Sequence, residues 1–354
     1  MIVIGADPHK QTHTASAVDA LTGELRSSET VSARAAGHAR LLAWGRALGE
    51  ERVWAIEDCR HVSGNLERFL VGRGERVVRV APKLMAGARR CSRERGKSDE
   101  IDSLAVARAA LREGPDALPC AQLDEQALEI KLLLDHREDL VRARCEDQCR
   151  LRWHLHDLWP ELGIPAGALD RQRWLDKVAR KLARSEQSAR VRVSRSLVRQ
   201  IRDRLRQERE LVREITLLVQ AKAPQLLELP GCGALTAAKL VSETAGAERF
   251  SSDAQFARIA GVAPLPVSSG RTDRHRLDRG GNRQLNCALH RVAVTQGRVH
   301  PQARDFLARK QAEGKTRMEA LRCLKRHLAR TVWKTMTTPQ TPNLDTPAAR
   351  PVLT

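Results

Sequence analysis

Residues 1–10, MIVIGADPHK, decide the fold of the first part of the chain, because a short apolar run stops abruptly at Asp7. Such a run, closed by polar turn residues, predicts a buried strand. Three similar runs predict further strands, at residues 14–20, 53–56 and 76–80. Patterns with three-to-four apolar spacing predict helices, at residues 37–48, 64–74 and 102–112. Strands that then alternate with helices predict a mixed α/β sheet.

The composition points to a polyanionic partner. The 354 residues include 62 Lys and Arg against 43 Asp and Glu, which gives a net charge of +19. Such a surplus indicates nucleic acid or an anionic membrane surface. The chain has no tyrosine, which excludes the recombinases and topoisomerases that cut DNA through a phosphotyrosine. With only 3% aromatic residues, a broad base-stacking platform is also disfavoured.

The sequence also predicts a location in the cell. Asp7 interrupts the first apolar run, so we expect no signal peptide, and no apolar stretch approaches the roughly 18 residues of a membrane span. We therefore expect a cytoplasmic, nucleoid-associated protein without a membrane partner. The eight scattered cysteines are expected to be reduced thiols. A zinc site built from Cys145, Cys149, His154 and His156 is disfavoured, because the two histidines point in different directions on one helix.

The chain divides into three parts and a tail. Residues 1–120 carry the α/β pattern, residues 121–225 are predicted to be mostly long helix, and residues 226–336 form a third, mainly helical segment. Residues 337–354 are rich in Pro and Thr and are expected to be disordered. The fold class predicted for the whole chain is therefore α/β plus all-α.

The middle part carries a long apolar stripe and a dense positive charge. The stripe covers about six helical turns and is interrupted once, at Glu208. Residues 171–213 hold fifteen Arg or Lys against five acids. Both facts fit an antiparallel helical hairpin or an intermolecular coiled coil whose basic face contacts phosphates. The alternative is a charged face that is merely solvated.

A turn of the helix-hairpin-helix kind is predicted at the start of the third segment. Residues 229–233 read LPGCG and precede a helix rich in small residues. Amides of such a turn face a DNA phosphate at the N-terminus of the helix, so Gly231 and Gly233 are predicted to bind nucleic acid.

Four carboxylates are placed where divalent metal ions bind in nucleases. Asp7 and Glu57 end predicted strands, and Asp99 and Asp102 lie three residues apart at the start of a predicted helix, on one face. Oxygen ligands of this kind suit Mg²⁺. Taken singly, each acid could instead be a helix cap or a solvated strand end. Pro8 separates Asp7 from His9, so a common orientation of those two side chains is not assumed.

A serine in the third segment is the second candidate for chemistry. Ser268 and Ser269 precede Gly270 in a loop that continues into a basic stretch. A serine hydroxyl needs activation to attack, and an Arg cluster stabilises the charge that builds on a phosphate. The alternative is an ordinary polar turn. The cations predicted to bind nucleic acid here are Arg271, Arg274, Arg276, Arg279 and Arg283.

Taken together, these motifs resemble those of one family. GADPHK at residues 5–10, AIEDCR at 55–60 and GKSDEIDSLAVARAAL at 96–111 look like the Asp-Glu-Asp-Asp set of a RuvC-like, RNase H-like domain. LPGCGALTAAKLV at 229–241 and FARIAGVAPLPVSSG at 256–270 look like the second domain of the same transposases. The chain thus resembles transposases of insertion-sequence family 110, which are similar to Piv-type DNA invertases. The resemblance spans nearly the whole chain except the tail.

The resemblance implies a DNA recombinase of an insertion element that is guided by a structured bridge RNA. Asp7, Glu57, Asp99 and Asp102 would bind Mg²⁺. Ser269, eight residues after Gly261, would be the nucleophile and form a covalent phosphoserine link. The implied partners are donor and target DNA, the guide RNA, and further copies of the chain in a homodimer that assembles to a tetramer.

The sequence departs from the family pattern at two places, and two other functions stay open. Residues 57–60 read EDCR where the family more commonly shows Glu-x-Thr-Gly, with no obvious loss of metal ligands. The family usually shows Leu-Arg-Arg where this chain has Leu285, Asn286 and Cys287, so Arg283 is expected to substitute as a phosphate ligand. Lys10 and Lys97, close to the acids in sequence, are also predicted to bind nucleic acid. The alternatives are a metal-dependent nuclease or Holliday-junction resolvase without serine chemistry, and a non-catalytic nucleic-acid-binding remnant.

Overall fold

The first part of the chain forms a five-stranded mixed sheet. The structure is a computed structural model that describes residues 1–57, 60–81, 84–85, 98–267, 275–276, 278 and 280–338, without the side chains of residues 60–63. The strands run in the order β3-β2-β1-β4-β5, with the first three antiparallel and β1, β4 and β5 parallel. Their bounds are β1 Ile2–Pro8, β2 Thr12–Asp19, β3 Leu25–Ser32, β4 Arg52–Glu57 and β5 Val77–Val80.

Within the five-stranded sheet, β3 is the strand that the sequence analysis did not predict. Its residues, LRSSETVS, are mostly polar and only Val31 is buried. An edge strand needs no alternating apolar pattern when its hydrogen bonds to β2 hold it in place. The four predicted strands are all present, within about two residues of their expected ends.

Three helices cover the sheet: α1 (Ala35–Ala47), α2 (Arg60–Val71) and α3 (Asp99–Glu113). Successive residues of β1 enter different cores, Val3 on the side of α3 and Ile4 on the side of α1 and α2. At Gly5 a Cβ atom would lie 2.2 Å from the carbonyl oxygen of Ser103, so glycine lets α3 lie directly on the sheet. The α/β class predicted for this part is confirmed.

The middle part is an arm of long helices, α4 (Glu125–Leu158), α5 (Gln172–Ala183) and α6 (Ala189–Lys222). Helices α4 and α6 pack against each other within the chain, and the end of α4 meets the start of α6 in one apolar cluster, so they are antiparallel. Of the two arrangements predicted, the hairpin is therefore the one that the chain forms by itself. The interruption of the stripe at Glu208 is explained by Arg144, whose Nε donates to Glu208 Oε1 at 2.7 Å.

The last part is mainly helical, which confirms the predicted all-α component. Its elements are α7 (Ala234–Thr244), α8 (Asp253–Ile259), the short strands β6 (Leu265–Pro266) and β7 (His275–Arg276), α9 (Arg283–Val299), α10 (Pro301–Ala312) and α11 (Arg317–Thr337). A single apolar cluster joins these helices to the near ends of α4 and α6. None of the described helices combines the length and hydrophobicity needed to cross a bilayer.

The α/β part meets the C-terminal helices through polar contacts. Arg258 of α8 pairs with Glu113 at the end of α3, with Nη2 2.7 Å from Oε2. Gln255 Nε2 donates to the carbonyl oxygen of Ala117 at 2.7 Å. These contacts lie beside a cleft between the two parts, whose lining includes cations such as Arg79, Arg142 and Arg283.

Candidate active site

Two of the predicted carboxylates lie side by side at one edge of the sheet. Strands β1 and β4 are parallel, with partners running from Ile2 and Arg52 to Ala6 and Ile56. Continuing this register by one residue places Asp7 beside Glu57. The carboxyl ends of neighbouring parallel strands meet at the same edge, so both acids are brought to the start of α3 by backbone geometry alone.

Helix α3 supplies the other two carboxylates. The Ser98 hydroxyl accepts a hydrogen bond from the Ile101 amide at 3.2 Å and caps the helix, which therefore begins at Asp99. Asp99 has a side chain that is 52% exposed, whereas Asp102, one turn further, is buried with 4% exposure. The i, i+3 spacing thus gives one acid at the rim of the site and one beneath it.

His9 joins the acids in a way that the sequence analysis did not assign. Its Nε2 lies 3.1 Å from Asp7 Oδ2 and 3.1 Å from Asp99 Oδ1. The His9 amide donates to the Thr12 carbonyl at 2.8 Å, so the β1–β2 turn folds the imidazole back over the strand end. The Asp-Pro-His sequence at a strand end was the available signal, but the turn geometry that uses it is not visible in the residues alone.

The electrostatics of Asp7 reflect its enclosure among other acids. Burial raises the pKa of the Asp7 carboxyl above its ordinary value; the adjacent His9 lowers it, and the carboxylates of Asp102 and Asp99 raise it. The ionised form of a carboxyl in this position is stabilised by a cation. The side chain is only 8% exposed, so water supplies little of that stabilisation.

One group of potential metal ligands is found among the residues that the structure describes. Ligand atoms of Asp7, His9 and Asp99 all lie within 4.8 Å of one another. Two carboxylate oxygens are donors that hard divalent cations accept, and the imidazole broadens the choice to transition metals. Glu57 and Asp102 are outside this group, although Asp102 acts on Asp7 through its charge.

The two short strands that flank the predicted serine in the sequence, β6 and β7, form a two-stranded antiparallel ribbon. Leu265 pairs with Arg276 and Pro266 with His275, and Ser269 lies between these two strands in the sequence. Arg276 and Arg283 are exposed, at the end of the ribbon and at the start of α9. The remaining predicted residues of this site lie outside the described part of the chain: Ser269, Arg271, Arg274, Arg279 and, near the acids, Lys97.

The base of the ribbon is held by a tight glycine contact. A Cβ atom on Gly281 would lie 2.2 Å from the Gly261 amide nitrogen, and Gly261 itself has a φ of +64°. Asn286 Nδ2 donates to the carbonyl oxygens of Ala260 and Gly261, at 3.1 and 2.8 Å. Asn286, where the chain departs from the family pattern, therefore stabilises the turn at Gly261. Ser269 is the residue eight positions after that glycine.

The other predicted nucleic-acid ligands take distinct positions. Gly231, with a φ of +79°, packs on α9, where a Cβ atom would lie 2.9 Å from Thr295 Cβ. Packing against α9 therefore requires glycine at position 231. At Gly233, just before α7, an added Cβ atom would meet open space. Lys10 is exposed in the β1–β2 turn next to His9.

Comparison with known proteins follows the same division of the chain. Residues 4–160 match the family model DEDD_Tnp_IS110, described as a transposase, and residues 223–308 match the model described as Transposase IS116/IS110/IS902 family. Among solved structures, Thermus thermophilus RuvC in complex with a Holliday junction substrate is similar at 17% identity, with a TM-score of 0.27, covering 34% of this chain and 99% of that chain.

Two uncharacterized insertion-element proteins are similar over most of the chain. The 44.8 kDa protein of insertion element IS116 from Streptomyces clavuligerus is 26% identical over 377 residues, covering 94% of both chains. The 42 kDa protein of IS900 from Mycobacterium paratuberculosis is 25% identical over 330 residues, covering 80% of this chain and 82% of its own. With both transposase models matched in order and insertion-element proteins aligned along its length, the chain belongs to the IS110/IS116/IS902 family of insertion-element transposases.

Proposed function

We propose that this transposase cuts and rejoins DNA through a phosphoserine intermediate on Ser269, with Mg²⁺ held by its carboxylates and a structured bridge RNA as guide. The observation that carries the proposal is the convergence of Asp7, His9 and Asp99 above the buried Asp102 at one edge of the sheet. A purely structural cluster of acids at this density would be unfavourable, because like charges repel when they are withdrawn from water.

The carboxylates fit a divalent cation by their donor chemistry. Asp7 and Asp102 are anchored in the sheet and helix core, and Asp99 and Glu57 lie nearer the surface. When bound there, Mg²⁺ would supply positive charge that stabilises a phosphodiester as negative charge develops on its oxygens. His9 holds the Asp7 and Asp99 side chains in a common orientation through its contacts with both.

Ser269 is proposed as the nucleophile because of where its loop is attached. The ribbon base is fixed by the Gly261–Gly281 contact and by Asn286, so the loop starts from a rigid turn. Attack by the serine oxygen forms a phosphorus–oxygen bond to the protein as the bond to the leaving DNA oxygen breaks. The arginines of the loop, with Arg276 and Arg283, are proposed to bind the phosphate oxygens.

We further propose donor and target DNA and the guide RNA as partners, together with a homodimer that assembles to a tetramer. The surplus of positive charge supports the nucleic-acid partners. The long arm of α4 and α6 supports assembly, because its outer part has an apolar cluster of its own, separate from that of the C-terminal helices. In the assembly, the acidic site of one protomer would meet the serine loop of another.

The serine mechanism is tested with a nicked DNA substrate that traps covalent adducts. We expect Ser269→Ala to abolish the protein–DNA adduct and Ser268→Ala, the adjacent matched control, to retain it. Cleavage by Ser269→Ala without an adduct would instead identify water as the nucleophile and the protein as a metal-dependent nuclease or resolvase. RNA that copurifies with the protein should be sequenced, and a discrete structured species is the expected result.

The acidic site is tested on the same substrate. Asp102→Asn removes a buried negative charge and keeps the size of the side chain, so we expect loss of cleavage by at least about a hundredfold with DNA binding retained. Asp116→Asn, an exposed acid away from the site, is the control. Retained cleavage in Asp102→Asn would contradict a catalytic role for this cluster.

A further inference from the structure

A second polar cavity lies between α9 and α11, behind the base of the ribbon. Its volume is about 720 Å³, and it shares Asp278, Gly281 and Arg283 with the cleft towards the α/β part. Its other charged and titratable lining residues are Cys287, His290, Arg322 and Lys325, so cations outnumber the one acid, Asp278. The acids at the sheet edge do not line it.

Lys325 is the unusual member of this cavity. It is only 5% exposed, and its Nζ donates to Asn286 Oδ1 at 2.6 Å. Among the ion pairs of the described residues, none involves Lys325, so the partner of its ammonium group in this part of the chain is a neutral amide. A buried ammonium group is costly without an anion nearby, because an amide oxygen replaces only part of its hydration.

Lys239 is a second buried lysine that contacts α9, and its environment can be compared with that of Lys325. It is 4% exposed, and its Nζ forms an ion pair with Glu138 and donates to Gln284 Oε1 at 3.2 Å. Both buried lysines thus reach an amide on α9, but among the described residues only Lys239 has a carboxylate partner. In the described part of the chain, that carboxylate is the difference between the two lysines.

The neighbours of Lys325 make the cavity electropositive. Burial lowers the pKa of Lys325, and the charge of Arg322 lowers it further, while Cys287 acts in the opposite direction. Burial also lowers the pKa of His290, and the charge of Lys325 adds to that effect. Asp278, the acid of the lining, accepts a hydrogen bond from the Gly280 amide at 2.8 Å.

Asn286 connects this cavity to the serine turn. The same side chain that accepts from Lys325 donates to the carbonyl oxygens of Ala260 and Gly261. A ligand drawn to Lys325 would therefore bind one side chain away from the turn that begins the loop of Ser269. That position favours the DNA being cut over a more distant nucleic-acid partner.

We propose that this cavity binds a backbone phosphate of the substrate DNA, with the Lys325 ammonium as its central donor and Arg322, His290 and Arg283 around it. The proposal rests on the proposed function only in taking DNA as the substrate. It makes Lys325 a binding residue, distinct from the carboxylates at the sheet edge. It also explains why a buried lysine is retained without an acid, because the phosphate supplies the anion when DNA binds.

The test measures binding of duplex DNA to the full chain, in a Ser269→Ala background so that no adduct forms, by fluorescence anisotropy over a range of salt concentrations. We expect Lys325→Met to weaken binding about tenfold or more and to reduce the salt slope by about one, as loss of one phosphate contact requires. Lys325→Arg should restore part of the affinity. Lys334→Met, an exposed lysine on the same helix, is the control for general charge loss.

Four outcomes decide the proposal. Unchanged DNA affinity in Lys325→Met overturns it, as does an equal loss in Lys334→Met. Loss of affinity for structured RNA alone, with DNA binding intact, assigns the cavity to RNA and overturns the DNA assignment. Loss of DNA affinity together with a melting temperature at least as high as that of the parent supports it, because a folding defect is then excluded. Adduct assays on Ser269 test the proposed function separately.

Discussion

At the residue scale, His13 is a buried histidine in the sheet that carries Asp7. It is buried in β2, its Nε2 lies 3.2 Å from that of His38 in α1, and the two rings stack with centroids 5.2 Å apart. Burial lowers the pKa of His13 to about 4, and the charges of His38 and, more weakly, His9 act in the same direction. In the folded protein this imidazole is therefore neutral at pH values where an unfolded chain would be protonated.

The stability of the protein should fall as the pH falls from about 6.5 towards 4. In that window the unfolded chain takes up a proton at residue 13 that the folded chain does not, so the contribution is present above the ordinary histidine pKa and lost below it. The loss attributable to His13 is on the order of 3 kcal/mol. Denaturant midpoints at pH 7 and pH 4.5 should differ less in His13→Gln than in the parent. His156→Gln, at an exposed histidine, should leave the difference unchanged.

The residues of the candidate site differ in how far sequence alone predicts them. Asp7, Glu57, Asp99 and Asp102 follow local patterns, since strand ends and helix starts are recognisable from a few neighbours. His9 depends on the path of a turn, and Lys325 on packing between helices about forty residues apart in sequence. Neither kind of contact produces a periodic pattern in the sequence. The sequence analysis therefore assumed no common orientation of Asp7 and His9 and gave Lys325 no role.

At the scale of elements, the arm depends on a polar pair inside its apolar seam. Arg144 of α4 and Glu208 of α6 are both largely buried, and Arg144 also pairs with the more exposed Asp170. The sequence predicted a stripe with one defect at Glu208, but not the arginine that faces it. The predicted ends of the strands agree with the structure within about two residues, because turns are local, whereas the helix predicted at 64–74 is found at Arg60–Val71. Strand β3 was missed because its pairing with β2 is not local.

Glu208→Leu should lower the free energy of unfolding of the arm by about 3 kcal/mol, because it leaves the Arg144 guanidinium buried with only Asp170. Replacing both residues, Arg144→Met with Glu208→Leu, should recover most of that loss, since apolar side chains then replace this buried charged pair. Urea denaturation followed by circular dichroism measures both. If the double variant is no more stable than Glu208→Leu, the uncompensated charge of Arg144 is not the cause of the lost stability.

At the scale of the whole molecule, the net charge of +19 comes from basic residues that differ in whether an acidic side chain neutralises them. Some arginines of α6 are neutralised within the chain, as Arg190 is by Asp157 and Arg202 by Asp176. Others are exposed and form no ion pair with a described carboxylate, among them Arg192, Arg195 and Arg199 in the first half of the helix. Arginines of this second kind are available to bind phosphates.

Nucleic-acid binding should accordingly weaken steeply with salt, and the slope should depend on which arginines remain. Replacing Arg192, Arg195 and Arg199 by Gln should reduce the slope of log affinity against log salt by up to about three. Replacing three arginines that already have acidic partners, Arg190, Arg202 and Arg206, should change it less. Equal effects of the two triple variants would indicate a general charge effect, without contact by the outer face of α6.

The matched lengths of α4 and α6 restrict how the arm can change in evolution. Each has 34 residues, a reach of about 50 Å, and their near ends are locked into the C-terminal core. One residue inserted in a single helix would rotate everything beyond it by about 100° and expose the seam. Viable relatives should therefore lengthen or shorten both helices together, in steps of about seven residues. The distance between a partner bound at the outer end of the arm and the C-terminal helices can then change only in discrete steps.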